Sequence, residues 1–186
     1  DPYDHPIGVH NMNTDNAFEP FSGDSNFDYF SIQLHPAHPA TPIRYLDYLD
    51  QLRDHTSNAG RPLALMFDEV DWATPADDES HDLSNKAQCK SGAKFLRKAV
   101  LWQCYLSGAG GVEWILSDLL NSHDFRRYEA LWGYTRHARS FMEQLPLGDM
   151  VPSHQLLTGE SPYTVPYYDI AGVVLAKPGE VYAVQL

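Results

Sequence analysis

Cysteine, basic residues and long apolar runs are all scarce in this chain of 186 residues. With only two cysteines, Cys89 and Cys104, a disulfide scaffold is excluded; a single bridge remains open, and we expect free thiols. The 13 lysines and arginines are outnumbered by 25 aspartates and glutamates, and the net charge of -12 disfavours binding to nucleic acid or anionic membranes. Because no apolar run reaches the roughly 18 residues that a bilayer requires, we expect no membrane span.

The rest of the composition is typical of a globular protein with many aromatic residues. Hydrophobic residues make up 43% and charged residues 20%, which excludes a disordered chain. Four tryptophans and eleven tyrosines favour sugars or other flat ligands, although the same residues also suit a core.

Strand-like and helix-like segments alternate through the first three quarters of the chain. Strand-length apolar runs occupy residues 6–10, 29–35, 62–69 and 110–115, and helical periodicity occupies residues 41–57, 92–107 and 125–145. This alternation predicts an α/β fold with parallel strands joined by crossover helices. Four strands and three helices are half of an eight-stranded barrel, which typically needs about 250 residues. We therefore predict the C-terminal half of a (β/α)8 barrel over residues 1–146.

The character of the sequence changes at Leu147. Proline, glycine and β-forming residues dominate from there, and the stretch "AGVVLAKPGEVYAVQL" predicts a hairpin that turns at Lys177–Glu180. A single hairpin is marginal alone. We therefore predict that residues 147–186 begin an all-β domain of the sandwich type.

Each predicted parallel strand ends in hydrogen-bonding or ionisable residues. In barrels of this kind, the active site lies at the C-terminal ends of the strands. The residues at those ends are His10, Asn11, Gln33, His35, Asp68, Glu69 and Glu113. Four such endings in register predict a polar cleft.

The third of these endings carries two adjacent acids. Strand alternation sends Asp68 and Glu69 to opposite sides, so only one enters the cleft unless the strand is distorted. A carboxylate there, close to Trp72, suits glycoside chemistry, which needs two carboxyl groups about 5–5.5 Å apart for retention or about 6.5–9.5 Å apart for inversion. The alternative is that Asp68, Glu69 and Asp71 stay solvated and cap the next segment.

Glu113 lies in the apolar stretch "GGVEWI", where a carboxylate is costly to bury unless it is paired or functional. An Arg or His partner is the alternative explanation. Trp114 and Trp72 together suit a sugar-stacking surface, and either also suits the core. Pro36 and Pro39 prevent the helical display of His35 and His38 that a zinc site would use, so we predict no metal and no cofactor.

Several segments follow one another in the order seen in a known group of barrels. They are "DPYDHPIGVHN", "DYFSIQLH", "RPLALMFDEVDWA" and "RKAVLWQCYLSGAGGVEWIL", followed by "RRYEALWGYTRHARSFMEQLPLGDMVPSHQLL" and "KPGEVYAVQL". Over nearly its whole length the chain resembles glycosidase-like (β/α)8-barrel proteins. These include apiosidase-like proteins and bacterial polysaccharide-utilisation proteins with a β-sandwich, labelled collagen-binding, after the barrel.

The resemblance implies roles for particular residues. Glu69 matches the retaining nucleophile at the end of strand seven, and Glu113 is a substrate-contacting carboxylate after strand eight. By the same resemblance His10 and Asn11 end strand five, and Gln33 and His35 end strand six. The acid/base residue of such enzymes normally follows strand four in an Asn-Glu pair, and strand four is not in this sequence. With Glu69 in the cleft, alternation turns Asp68 away, and Asp71 belongs to the following loop.

The function expected from the sequence is a retaining glycoside hydrolase acting on a polysaccharide or oligosaccharide. His10, Asn11, Gln33, His35, Trp72, Glu113 and Trp114 would bind the sugar, and the N-terminal half of the barrel would complete the site. Resemblance alone implies a secreted, periplasmic or cell-surface bacterial protein. Two alternatives stay open: a catalytically silent carbohydrate-binding barrel, and a metal-dependent barrel hydrolase that uses His10 and His35.

Overall fold

The computed structural model describes residues 5–12, 17–33, 45–82, 84, 90–117, 124–157 and 172–186. In chain order the elements are β1 (Gly8–Met12), β2 (Tyr29–Gln33), α1 (Tyr45–Asn58), β3 (Ala64–Ala73), β4 (His81–Asp82), β5 (Lys90–Ser91), α2 (Ala93–Leu96), α3 (Trp102–Leu106), β6 (Val112–Leu116), α4 (Glu129–Met142), β7 (Val151–Pro152), β8 (Val173–Lys177) and β9 (Val181–Gln185). A π-helical segment, Arg97–Leu101, joins α2 to α3 without a break.

The main sheet is built from four parallel strands that lie side by side in the order β1, β2, β3 and β6. Neighbours in space are therefore neighbours in sequence, except for a small ribbon. That ribbon is the antiparallel pair β4 and β5, and β5 also pairs with the far end of β3 beyond the point where β2 stops. The carboxyl ends of the four parallel strands thus point in one direction.

One face of this sheet carries the core, and all three helices cover it. On β2 the residues Phe30 and Ile32 are fully buried, whereas Tyr29, Ser31 and Gln33 between them are only partly buried. The buried residues of β2 and β3 form one cluster with apolar residues of α1, of the α2–α3 helix and of α4. Strand alternation places polar side chains on the other face of the sheet, which no helix of the described residues covers.

The turn between α3 and β6 brings the chain back to the sheet within a few residues. Gly108 has φ of +80°, a left-handed conformation that glycine adopts without steric cost. Its N–H and that of Ala109 donate to the carbonyls of Tyr105 and Cys104, which closes the helix end. The N–H of Gly110 then donates to Leu65 O on β3, so β6 starts in register beside β3.

A second sheet of three antiparallel strands, β7, β8 and β9, packs on the ends of α3 and α4. Its own small core contains Leu106, Met142, Met150, Val173, Leu175 and Ala183. The sheet is also held by one polar contact, because the Gln185 side-chain amide donates to the Lys98 carbonyl in the π segment at 3.0 Å.

Gln185→Ala is expected to lower the free energy of unfolding by about 1 kcal/mol, since one part-buried hydrogen bond is lost. Gln144 is the matched control, because its exposed amide bonds only to Ser140 O one turn earlier on α4. Gln144→Ala should change stability by less than about 0.5 kcal/mol. Urea denaturation of both variants makes the comparison, and equal effects would contradict a specific tie between β9 and the helix.

The predicted order of strands and helices is confirmed as a mixed α/β fold with a mostly parallel sheet and three helices. The C-terminal hairpin also forms, with Pro178, Gly179 and Glu180 between its strands. The predicted helix start at Thr41 and Pro42 lies outside the described residues. The division at residue 146 stays a prediction.

Two further expectations concern the cysteines and the membrane. Cys104 is a free, fully buried thiol, and burial raises its pKa well above the ordinary value, so it is inert; Cys89 lies outside the described residues. Among the described residues, no helix has the length and apolar character needed to cross a bilayer.

Candidate functional site

A distortion in β3 controls the layout of the site. Phe67, Val70 and Ala73 are each fully buried in the core, and they are three residues apart rather than two or four. The pairing with β6 explains the spacing, because Phe67 is opposite Val112 and Val70 is opposite Trp114, with a register shift between them. Two residues of β3 therefore lie opposite one residue of β6, which is a β-bulge.

The bulge brings two consecutive acids, Asp68 and Glu69, to the side of the sheet opposite the helices. Glu69 has φ of +47°, and no other non-glycine residue among those described has a positive φ. This left-handed conformation is uncommon for residues with a side chain and costs roughly 1–2 kcal/mol. Such backbone strain is concentrated at functional sites, where the surrounding structure maintains it.

Glu69 is held by a residue of the neighbouring strand. The Gln33 Nε2 amide donates to Glu69 Oε2 at 2.6 Å, a short bond of the kind that a charged acceptor makes. The carboxylate is partly buried. One oxygen is thus fixed by β2, and no described residue donates to the other.

Asp68 is more deeply placed than Glu69. Its exposed fraction is 3%, and its Oδ2 accepts hydrogen bonds from the Ser31 hydroxyl and from His10, whose Nδ1 lies 2.7 Å away. Its other oxygen, Oδ1, is buried without a hydrogen-bond partner among the described residues. A buried carboxylate oxygen in this state is costly and needs an explanation.

These contacts define the polar face of the sheet, which carries His10 on β1, Ser31 and Gln33 on β2, and Asp68 and Glu69 on β3. The register of β6 adds Glu113, because Val112 and Trp114 on either side of it pack against the core. Glu113 is exposed, and within the described part of the chain no Arg or His pairs with it.

The floor of the polar face is formed by the first residues of β1 and β2, on the N-terminal side of these polar contacts. Gly8 on β1 is opposite Tyr29 on β2, and a side chain at Gly8 would overlap the Tyr29 ring, with atoms as close as 2.2 Å. The missing side chain therefore makes room for that ring. Above this apolar floor lie His10, Ser31 and Asp68, followed by Gln33 and Glu69 toward the strand ends.

Four of the residues predicted from the sequence are therefore brought together: His10, Gln33, Glu69 and Glu113. Trp72 belongs on the same face by register, because it is opposite Ile115, the residue that follows Trp114. It is partly exposed, beyond the end of β2. His35 lies outside the described residues.

Two predicted ligand-binding residues lie away from the polar face. The Trp114 indole N–H donates to Thr135 Oγ1 on α4 at 3.0 Å, and the ring packs against the core, so it is not a surface for stacking sugars. Asn11 alternates with His10, and its amide donates to the Ala17 carbonyl at 3.2 Å.

The expectation that Asp68 faces away from the cleft is wrong. It assumed a regular strand, in which neighbours alternate, and the bulge puts Asp68 and Glu69 on one face. Sequence reasoning also missed Ser31 as a member of the site. The sequence did indicate that Ser31 shares a face with Gln33, because Tyr29, Ser31 and Gln33 alternate with two apolar residues in "YFSIQ".

The polar face is anionic. In the part of the chain that is described, no Lys or Arg forms an ion pair with Asp68, Glu69 or Glu113, and no group of three or more His, Cys, Asp or Glu has the arrangement of a metal site. Beside Trp72, on the small ribbon, His81 stacks on Phe95 and contacts Ser91 Oγ at 2.8 Å. Burial lowers the pKa of His81, while nearby Asp82 acts in the opposite direction.

A cavity of about 620 Å³ lies elsewhere in the molecule, beside the turn that leads into β6. Its walls include Arg53, Tyr105, Arg139, Met142 and Leu175, and it contains none of the predicted site residues. Arg53 is already engaged by Asp50 and by the Ser107 carbonyl.

Replacing Glu69 by glycine and by alanine tests the strained backbone. At a left-handed position Gly is favoured, so Glu69→Gly should be more stable than Glu69→Ala by about 1 kcal/mol in urea denaturation. At a regular exposed strand position the opposite is expected, and the alanine variant is more stable than the glycine variant. Ala64, at the start of β3, is that control, and Ala64→Gly should cost about 0.5–1 kcal/mol. The same order at both positions would contradict the left-handed conformation of Glu69.

Comparison of the chain with protein-family models, curated proteins and solved structures finds no match.

Proposed function

We propose that this chain is the C-terminal half of the (β/α)8 barrel of a glycoside hydrolase, with Glu69 as the nucleophile of a retaining mechanism. The observation that carries the proposal is the left-handed Glu69 in the β3 bulge, whose carboxylate is fixed by Gln33. Strain is retained here at a carboxylate on the polar face, close to the point where β2 ends.

The arrangement of strands supports the barrel. Four parallel strands follow one another in sequence order, and their helices all cover one face, as they do in a singly wound barrel. The polar face then corresponds to the barrel interior, and its acids lie toward the carboxyl ends of the strands. The three-stranded sheet of β7, β8 and β9 is proposed as the first part of the appended β-sandwich domain.

The proposed chemistry assigns one task to each side chain. The Glu69 oxygen that Gln33 leaves open attacks the anomeric carbon, the leaving oxygen departs with a proton, and a covalent glycosyl-enzyme forms. Water then releases the sugar with retained configuration. Glu113, opposite the bulge, and Trp72 contact the sugar. The acid/base carboxylate would come from strand four, in the N-terminal half of the barrel.

The proposed substrate is a polysaccharide or oligosaccharide of low charge. The three acids of the polar face would repel an anionic chain, and no described Lys or Arg neutralises them. Such substrates are met outside the cell, so the proposal includes a secreted, periplasmic or cell-surface setting.

Covalent trapping tests the nucleophile. The full-length protein containing this chain is incubated with a panel of 2,4-dinitrophenyl 2-deoxy-2-fluoroglycosides, which form slowly hydrolysed intermediates with retaining enzymes. Intact mass and peptide mapping should find one fluoroglycosyl group on Glu69.

Three results would overturn parts of the proposal. A label on another carboxylate removes Glu69 as nucleophile, and hydrolysis with inverted product removes the retaining mechanism. Oligosaccharide binding by calorimetry without any turnover would indicate the silent carbohydrate-binding barrel instead.

A further inference from the structure

On the polar face a buried acid, Asp68, is paired with a half-exposed imidazole, His10. The Asp68 side chain is 5% exposed and the His10 side chain is 54% exposed, and His10 Nδ1 lies 2.7 Å from Asp68 Oδ2. The imidazole is thus attached to a buried acid at one nitrogen, and its remaining surface is half open to solvent.

The hydrogen bonds around Asp68 fix which nitrogen of His10 carries hydrogen. A carboxylate can only accept, and the Ser31 hydroxyl donates to the same Oδ2 oxygen. If Asp68 were protonated on Oδ1, that hydrogen would be buried without an acceptor among the described residues. With Asp68 as an ionised carboxylate, Oδ2 accepts from both neighbours, and His10 donates its Nδ1–H.

The consequence concerns the other nitrogen. Because Nδ1 carries the hydrogen of the neutral imidazole, Nε2 is left as a hydrogen-bond acceptor. A histidine held in this way by a buried aspartate is the arrangement that orients the general base of hydrolase triads. Here Ser31 bonds to the aspartate rather than to the histidine, so it is not a nucleophile activated by His10.

We propose that Asp68 is a positioning residue that holds His10 in the Nδ1–H form, so that Nε2 accepts a hydrogen bond from a hydroxyl of the bound sugar. The identity of that hydroxyl rests on the proposed glycoside hydrolase function; the geometry of the pair does not. Among the described residues the Asp68 side chain forms hydrogen bonds only with His10 and Ser31, and it acts on the ligand through His10.

The tautomer of His10 can be measured directly. Long-range ¹⁵N–¹H spectra of the labelled full-length protein above the titration range of histidine distinguish a protonated Nδ1 from a protonated Nε2. His10→Asn removes the signals of this ring and so assigns them among nine histidines. The expected result is hydrogen on Nδ1 and a bare Nε2; hydrogen on Nε2 in the parent protein overturns the proposal without any variant.

Two variants separate positioning from simple packing. Asp68→Asn keeps the shape but presents an N–H to the ring, and a change of this type gives the wrong tautomer in hydrolase triads. It should move the hydrogen of His10 to Nε2. Ser31→Ala removes the other donor to Oδ2 and should leave the His10 tautomer unchanged. An unchanged tautomer in Asp68→Asn overturns the positioning role.

The sugar contact is tested in the protein trapped with the fluoroglycoside. There the His10 Nε2 signal should shift, and the shift should be absent in protein treated with 2,4-dinitrophenol alone. A trapped enzyme with an unmoved Nε2 signal overturns the contact and leaves the glycosidase assignment intact. Failure of every glycoside to react defeats the proposed function, while the tautomer measurement still decides the pair.

Discussion

Glu69→Gln is expected to lower kcat of the full-length hydrolase by roughly 10⁴-fold or more, with little change in stability. Glutamine has the same shape and can still accept the Gln33 hydrogen bond at its carbonyl, so the bulge is maintained. It cannot attack the anomeric carbon, because an amide oxygen is a poor nucleophile. The measurement is the initial rate of release of dinitrophenol from an activated glycoside.

A matched acid on the surface controls for charge. Glu180 lies exposed in the β8–β9 turn and pairs with Lys177, so Glu180→Gln should have unchanged kinetics. Glu69→Gly offers a second readout, because it leaves space for a small external nucleophile such as azide. Azide should restore turnover in Glu69→Gly and yield a glycosyl azide of inverted configuration. Activity of Glu69→Gln close to that of the parent protein would eliminate Glu69 as the nucleophile.

Phe30→Ala is expected to cost about 3–5 kcal/mol of unfolding free energy, the largest stability effect predicted for a single substitution here. Phe30 is fully buried on β2, and its ring lies 4.6 Å from that of Phe18, which is also buried. Truncation leaves a cavity between the sheet and the segment that connects β1 to β2, and it removes an aromatic pair worth about 0.5–1.5 kcal/mol beyond its buried area.

Phe125→Ala is the control for this substitution. Phe125 is 55% exposed at the start of the 3-10 turn before α4, so its truncation should change stability by less than about 0.5 kcal/mol. Midpoints and slopes of urea denaturation distinguish the two variants. Similar losses at both positions would contradict the assignment of Phe30 to the core.

The fold was predictable from the sequence wherever periodicity was long and regular. In α4 the buried residues Leu131, Ala138 and Met142 recur at helical spacing, and in β2 polar and apolar residues alternate. The short strands β4, β5 and β7 have two residues each, and pairs such as His81–Asp82 carry no hydrophobic pattern. They form because neighbouring backbone is placed beside them, which is a tertiary effect that no local pattern records.

The site was predictable in location but not in detail. Polar strand ends correctly indicated the side of the sheet on which His10, Gln33, Glu69 and Glu113 meet. Alternation failed in β3, because the left-handed residue that creates the bulge is a glutamate rather than a glycine, so no residue type marks it. Trp114 was assigned to the wrong face for a related reason. The strand after Gly110 and Gly111 contains one ring, Trp114, and an apolar run of this kind does not reveal which face packs beneath a helix.

The β3 register has a consequence for how this strand tolerates insertions and deletions. Phe67, Val70, Trp72 and Ala73 of β3 pair with Val112, Trp114, Ile115 and Leu116 of β6, so β3 has one extra residue before Val70 and another before Trp72. We take Glu69, with its left-handed backbone, and Asp71 as these two extra residues. Without Glu69 and Asp71, the remaining five residues from Phe67 to Ala73 would alternate regularly between the two faces of the sheet. Losing either codon would remove one bulge and leave the other, and losing both would give a regular strand, so in each case Phe67, Val70 and Ala73 would keep their face of the sheet. The acid proposed to perform the chemistry is therefore one of two residues that the sheet itself does not need.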